Sequence, residues 1–170
     1  MQQLTMVGGD GLEWHDVAAP RLEGPGEALV RPLAVARCDI DINYATGLLP
    51  TPRSFAIGHE CIGEIRELGG GVAGFHVGQR VIAPFQISCG RCRRCQRGHT
   101  GSCEGVPFLS AYGMPISERE WGGALSDVIR VPFAAAMLGG AIRVAPASWL
   151  GAAVAGGASR RTRHGGRGYG

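Results

Sequence analysis

The residues best suited to chemistry in this sequence are its cysteines. The chain of 170 residues contains 6 cysteines, and four of them form a C-x2-C-x2-C-x7-C pattern: Cys89, Cys92, Cys95 and Cys103. The short gaps allow four thiolates to converge on one ion and to complete a tetrahedral shell with no open position. The pattern therefore predicts a structural zinc site in a lobe at residues 86–106, where several arginines would offset the negative charge of the thiolates.

Two other interpretations of the four-cysteine pattern stay open. Disulfides are disfavoured, because the N-terminal sequence has no basic region followed by an apolar stretch and so predicts no secretory signal. An iron–sulfur cluster fits less well than zinc, because the bacterial ferredoxin pattern has a shorter last gap and a following proline. Here Glu104 follows the last cysteine.

A second group of candidate ligands lies upstream of the lobe. His59 and Glu60 precede a predicted strand, and Cys38 follows another. Cysteine, histidine and carboxylate side chains all bind zinc. A lone histidine is more often structural, and a lone cysteine often serves as a small buried apolar side chain. The nearby four-cysteine pattern supports the interpretation of the upstream group as zinc ligands.

Short strands separated by glycines must position both groups. Runs of β-type sequence predict strands at Ala28–Ala36, Glu60–Leu68, Arg80–Phe85 and Ala124–Val131. Asp39–Ala45 is predicted to form a short helix directly after Cys38. Several short strands at close spacing are typical of a mainly β barrel or sandwich, from which residues 86–120 form an excursion.

Composition excludes several classes of protein. Hydrophobic residues make up 45% of the chain and charged residues 18%, as in ordinary globular proteins. No run of 18 apolar residues is present, so no membrane-spanning helix is expected. The net charge of +3 does not favour a nucleic-acid partner.

The end of the chain differs in composition from the rest. All 14 acidic residues lie between Asp10 and Asp127, whereas residues 139–170 are rich in glycine, alanine and arginine. This segment has no helical or strand periodicity and cannot bury enough surface to offset its ordering entropy. We expect either a flexible basic tail that contacts nucleic acid or a membrane surface or, as we prefer, a disordered end without a partner, for which out-of-frame translation of GC-rich DNA is one origin.

The segment Gly58–Val81 resembles the signature of zinc-containing, medium-chain alcohol dehydrogenases. Its fixed positions are filled by Gly58, His59, Glu60, Gly63, Gly69, Val72, Gly78 and Val81. The cysteine spacing is similar to that of the family's structural-zinc lobe, and the resemblance covers roughly Leu22 to Ala136. It implies a GroES-like, partly open β-barrel with a four-cysteine zinc lobe and short helices, forming a catalytic domain at residues 1–138.

The resemblance also implies roles for individual residues. Cys38 and His59 would bind a catalytic zinc, and Glu60 would be a further ligand or lie next to the metal. Asp41 resembles the family aspartate that hydrogen-bonds the ligating histidine and fixes its tautomer, although a carboxylate at a helix N-terminus is the alternative. The family often has serine or threonine as a proton relay where this chain has Ile40.

The implied activity is hydride transfer between a small alcohol or aldehyde and NAD or NADP, with zinc acting as a Lewis acid. The family binds this cofactor on a Rossmann domain, for which no pattern follows here. After Asp127 only His164 could supply another ligand. We therefore expect a truncated catalytic domain, cytoplasmic, inactive alone and without membrane or nucleic-acid partners, in a family whose members commonly form homo-oligomers. The alternative is a non-catalytic zinc-binding module or an inactive truncated product.

Overall fold

A computed structural model describes residues 1–7, 11–51, 53–116 and 119–139 of the chain. Within these ranges the fold is mainly β, as the sequence predicts. The strands are β1 Gln2–Val7, β2 Gly11–Asp16, β3 Ala28–Val35, β4 Phe55–Ala56, β5 Cys61–Leu68, β6 Arg80–Ala83 and β7 Ile129–Val131. The helices are α1 Asp39–Ala45, α2 Arg93–Gln96 and α3 Ala134–Met137, with a 3₁₀ turn at Thr100–Ser102.

The larger sheet has the order β6-β5-β3-β7, with antiparallel neighbours throughout. The predicted strands are confirmed there, although β7 is shorter than the segment Ala124–Val131 predicted from sequence. The reason lies in the backbone, because the amides of Ala124 and Leu125 donate to the carbonyls of Gly58 and Ile57 instead of continuing the ladder. The start of that predicted strand therefore packs against the turn that carries His59.

The smaller sheet has the order β2-β1-β4, and none of its strands was predicted from the sequence. β1 and β2 pair antiparallel from Gln2↔Asp16 to Val7↔Gly11. The run Gly8-Gly9-Asp10-Gly11 between them is rich in turn-forming residues and was the available signal. β4 has only two residues, which is too short for any pattern to show.

Two apolar clusters hold the sheets and α1 in place. The larger one contains Val30, Ile65, Val81, Val131 and Tyr112, all of them essentially inaccessible to solvent. The smaller one contains Met6, Tyr44, Phe55 and Ile57. Tyr44 of α1 meets Phe55 of β4 edge to face, with the ring centroids 5.3 Å apart, and this contact fixes the helix that follows Cys38.

The described residues bear differently on the predicted tail and on the expected lack of a membrane-spanning helix. The tail predicted at residues 139–170 and His164 lie outside the described residues, apart from Gly139. No helix in the described part of the chain combines the length and the apolar character that a membrane crossing requires.

Candidate metal centres

The four cysteines of the lobe meet at one point, as predicted. Their sulfur atoms all lie within 4.8 Å of one another, and the sulfurs of Cys92 and Cys103 are 3.9 Å apart. A tetrahedron with zinc–sulfur bonds of about 2.3 Å has edges of about 3.8 Å. The arrangement of Cys89, Cys92, Cys95 and Cys103 therefore fits a tetrathiolate zinc site.

Backbone amides prepare these sulfurs for a cation. The amides of Cys95 and Glu104 each donate to Cys92 Sγ at 3.4 Å, and this lowers the pKa of the Cys92 thiol to about 6. Partial burial, together with hydrogen bonds to Cys92 and Cys103, raises the pKa of Cys95 to about 12. Neighbouring thiols resist joint ionisation unless a coordinating cation supplies the compensating charge.

Close packing fixes the lobe against the rest of the fold. Gly90 has a φ of +70°, and a side chain there would overlap the Cβ atom of Ala136 in α3. A Cβ atom at Gly105 would lie 2.7 Å from Cys89 Sγ. The arginines of the lobe are largely exposed, and Arg94 pairs with Glu104 at 3.5 Å. The sequence predicts that the arginines offset the negative charge of the thiolates. The structure shows that Glu104 neutralises part of the positive charge of these arginines.

The upstream centre brings together Cys38, Asp41 and His59, whose ligand atoms also lie within 4.8 Å of one another. Cys38 follows β3 and begins α1, and its backbone amide donates to Asp41 Oδ2 at 2.9 Å. Asp41 lies in the first turn of α1, and the same oxygen is 3.4 Å from His59 Nε2. One short helix therefore positions two of the three groups.

His59 carries the clearest sign that a ligand belongs here. Its side chain is 9% exposed and that of Asp41 10%. His59 Nε2 is buried and has no hydrogen-bond partner among the described residues, and such an atom calls for an explanation. A thiol, an imidazole and a carboxylate form a donor set suited to zinc, so the residues present fit the metal.

Glycine backbones determine where the His59 ring lies. Gly58 has a φ of +95°, and a Cβ atom there would lie 2.6 Å from the amide nitrogen of Leu125. A Cβ atom at Gly113 would be 2.6 Å from the carbonyl oxygen of Gly58, and one at Gly123 would overlap the carbonyl oxygen of Ile57. Two separate segments of backbone, at Gly113 and at residues 123–125, thus pack directly against the turn that presents His59.

Glu60 is not part of the group of three in the described structure. It is half-buried beside His59 in sequence and lines an apolar groove with Ile62 and Ile82 on the larger sheet. It precedes the first residue of β5 and is not among the residues whose ligand atoms meet at this centre. Its role as a ligand stays a prediction.

Several other residues occupy positions that indicate a structural role. Cys61 is 4% exposed and packs in the core of the larger sheet. Ile40 packs on the smaller apolar cluster. His15, His76 and His99 are exposed.

A cavity of about 330 Å³ lies beside the lobe. Cys103 lines it on the side of the lobe, and Phe85 lines it on the side of His59, whose ring it meets edge to face at 6.3 Å. Met114 also lines the cavity and packs on the cluster that contains Ile40. Sequence reasoning missed Phe85 and Met114, because only the fold brings them beside the ligands.

Comparison with known proteins agrees with this architecture. The model of the alcohol dehydrogenase GroES-like domain matches residues 24–139. A glutathione-independent formaldehyde dehydrogenase from Pseudomonas aeruginosa is 30% identical over 140 residues, covering 77% of this chain and 35% of that protein. An L-threonine 3-dehydrogenase from Rhizobium etli is 37% identical over 133 residues, covering 72% and 36%.

A solved structure gives the same result. The alcohol dehydrogenase TADH from Thermus sp. ATN1 superposes with a TM-score of 0.72 at 30% identity, covering 82% of this chain and 39% of that one. The chain belongs to the zinc-type alcohol dehydrogenase family and contains its GroES-like domain. It spans between a third and two fifths of the length of these relatives.

Proposed function

We propose that this chain is the catalytic domain of a zinc-dependent dehydrogenase acting on an alcohol or an aldehyde. The observation that carries the proposal is the buried, unpartnered His59 Nε2 beside Cys38 and Asp41. Membership of the alcohol dehydrogenase family supports it. In the complete enzyme, NAD or NADP would exchange hydride with the substrate.

Each residue of the upstream centre has a definite task in this proposal. Cys38 and His59 would hold the zinc, and Asp41, which accepts from the amide of Cys38 and lies 3.4 Å from His59 Nε2, would keep these two groups together. Glu60 is a further candidate ligand. Zinc held at this point would supply Lewis acidity to the substrate oxygen. Since Ile40 has no hydroxyl, proton release from the substrate goes to water or to another group. None of the six cysteines is in a disulfide, which supports a reducing compartment such as the cytoplasm.

A second candidate function is a non-catalytic zinc-binding module. It is favoured by the difference between the two centres, because the lobe offers four donors and the upstream group only three among the described residues. The module would hold one zinc tightly at the cysteine cluster. The upstream group would then serve only to begin α1.

Metal stoichiometry separates the two candidates. The catalytic domain should bind two zinc ions per chain, measured by elemental analysis after dialysis, and His59→Ala should reduce this number to one. His76→Ala is the matched control, because His76 is exposed and belongs to neither centre, and it should leave two. One zinc per chain in the unmodified protein, or no loss in His59→Ala, would favour the non-catalytic module.

The cavity that Phe85 and the lobe line supports an uncharged substrate in this proposal. Apart from Cys103, whose thiolate would be bound to the zinc of the lobe, none of the described residues that line it has an acidic or basic side chain, and its volume of about 330 Å³ is at the small end for a ligand site. Ser110 donates to the carbonyl of Pro107 at 2.8 Å, which occupies one of its few polar groups. A zwitterionic amino acid such as threonine would leave two charges unpaired here. We propose an alcohol or aldehyde with a small apolar substituent.

Ligand binding tests this substrate class without requiring turnover. In ligand-observed NMR with the zinc-loaded chain, benzyl alcohol should bind at least ten times more tightly than L-threonine or sorbitol. Phe108→Asp should weaken benzyl alcohol binding, because Phe108 lines the cavity. Val77→Asp is the matched control at an exposed apolar residue away from the cavity. Equal affinity for the three compounds, or equal effects of the two variants, would contradict the proposal.

A further inference from the structure

Strand β2 is an edge strand whose side chains are nearly all exposed. It pairs with β1 on one side and has no strand on the other within the described residues. Leu12 is 45% exposed and Trp14 is 60% exposed, so two large apolar side chains stand in solvent. An exposed edge of this kind is a template for pairing with another chain.

The hydrogen bonds of β1 show which backbone groups of β2 are free. Met1 and Val17 exchange both of their N–H···O bonds, each at 2.9 Å. Because bonded and non-bonded pairs alternate along an antiparallel ladder, Leu4 and Trp14 face each other without bonding. The amide of Leu4 accordingly donates to Leu125, away from β2. The N–H and C=O groups of Leu12, Trp14 and Asp16 therefore point outward.

The charges of β2 select one way of pairing with an identical strand. In an antiparallel pair centred on Trp14, Leu12 faces the partner's Asp16, and Glu13 faces the partner's His15. The outward backbone groups of Leu12, Trp14 and Asp16 then form the bonded pairs. Moving the centre by one residue to either side would place Glu13 opposite Glu13 or His15 opposite His15, and like groups facing each other are unfavourable.

We propose that β2 is a homodimer interface, in which two copies of this chain pair antiparallel about a two-fold axis at Trp14. The pair joins two three-stranded sheets into one continuous sheet of six strands. The interface contains no ligand of either metal centre, so it stands or falls separately from the proposed dehydrogenase function. The two Trp14 side chains lie next to each other across the axis.

Cysteine cross-linking tests the register directly. In the bonded pair at position 14 the two Cα atoms are about 5.5 Å apart, within the range that a disulfide spans. Trp14→Cys should therefore form a disulfide-linked dimer in oxidised glutathione, with the linked peptide identified by mass spectrometry. Leu12→Cys is the matched control, because its two copies are offset by four residues, or about 13 Å. Equal cross-linking in both variants would overturn the proposed register.

Sedimentation equilibrium tests the association itself and needs no variant to fold. The unmodified chain should dimerise in a concentration-dependent way below millimolar concentration. His15→Glu should weaken the dimer at least fivefold, because Glu13 then faces a second glutamate. The double variant Glu13→Arg with His15→Glu should restore it, because opposite charges face each other again. A monomer at all concentrations, or a dimer unaffected by these changes, would overturn the proposal.

Discussion

At the scale of single residues, the most informative group is a histidine nitrogen without a partner. Buried polar atoms are normally hydrogen-bonded, and His59 Nε2 is not. Asp41 stands 3.4 Å away but is already bound to the amide of Cys38. The helix terminus thereby fixes the carboxylate next to the nitrogen that would hold the metal in our proposal.

Removing the charge of Asp41 should weaken this centre alone. Asp41→Asn is expected to lower the metal affinity at Cys38 and His59 by about 10- to 100-fold, since partners of ligating histidines have effects of this size. Cobalt substitution followed by absorption spectroscopy measures it, because the tetrathiolate site gives a separate signal. Asp39→Asn is the matched control, being an exposed carboxylate in the same helical turn. Equal losses in both variants would point to the helix terminus instead of the ring.

The glycine before His59 should be irreplaceable for two separable reasons. Gly58→Ala introduces a side chain at φ +95° and places its Cβ atom 2.6 Å from a backbone nitrogen. Gly74→Ala, at φ +83° with no atom within 4 Å of the added Cβ, isolates the conformational part, which is about 1 kcal/mol. We expect Gly58→Ala to lower the free energy of unfolding by about 3 kcal/mol or more. Urea unfolding gives both values, and similar losses would show that the contact relaxes.

The sequence identified candidate ligands well but not their surroundings. Cysteine spacing is a local property, so the four-cysteine site could be predicted from residue types alone. Asp41 was placed beside the histidine only by resemblance to the family. Phe85, Met114 and the backbone contact of Gly113 with Gly58 depend on segments far apart in the chain. No local pattern encodes such contacts.

At the scale of elements, the zinc lobe is held together mostly by its own sulfur atoms. Helix α2 has only four residues and begins at Cys92, whose sulfur accepts from the amide of Cys95. A helix this short is unstable by itself. Four residues are too few to show a helical period, so α2 could not be predicted from the sequence. The helix forms because the cysteines around it converge.

Removing zinc should unfold the lobe while leaving the larger sheet folded. After chelation, hydrogen exchange should accelerate at least a hundredfold for the amides that donate to sulfur, those of Cys89, Cys95, Glu104 and Gly105. The amides of β5 should keep their protection, because they are bonded on both sides within the sheet. Equally fast exchange in β5 would show that the metal stabilises the whole domain.

Whether a strand could be predicted from the sequence depends on its residue types. β3, β5 and β6 lie in runs of apolar and β-branched residues with glycines close to one end, so their existence could be predicted. β1 and β2 contain several polar residues and few β-branched ones. Pairing between distant segments, and not propensity, makes them strands.

At the scale of the whole molecule, a single tyrosine connects the larger core with the backbone of β7. Tyr112 is fully buried, and its hydroxyl donates to the carbonyl of Arg130 at 2.7 Å. Burial raises the pKa of this phenol well above its ordinary value. The folded chain therefore keeps Tyr112 protonated under conditions in which the unfolded chain ionises it.

Alkaline unfolding should report this difference. An unfolded tyrosine ionises near pH 10, so above about pH 10 the unfolded state binds fewer protons and the free energy of unfolding falls. Tyr112 contributes about 1.4 kcal/mol per pH unit to this slope. Tyr112→Phe should be less stable by about 1–3 kcal/mol at pH 8, but its stability should fall less steeply above pH 10. Urea unfolding across this range measures both, and an unchanged slope would contradict the assignment.

The backbone contacts of Gly58, Gly113 and Gly123 have a consequence for protein engineering. Transplanting Cys38, Asp41 and His59 into another scaffold would reproduce the donor set but not the turn that aims the imidazole. That turn is shaped by segments 55 and 65 residues further along the chain, which approach closely only because they lack side chains. A design based on the signature motif alone would therefore be incomplete, and the smallest portable unit of this centre comprises three backbone segments.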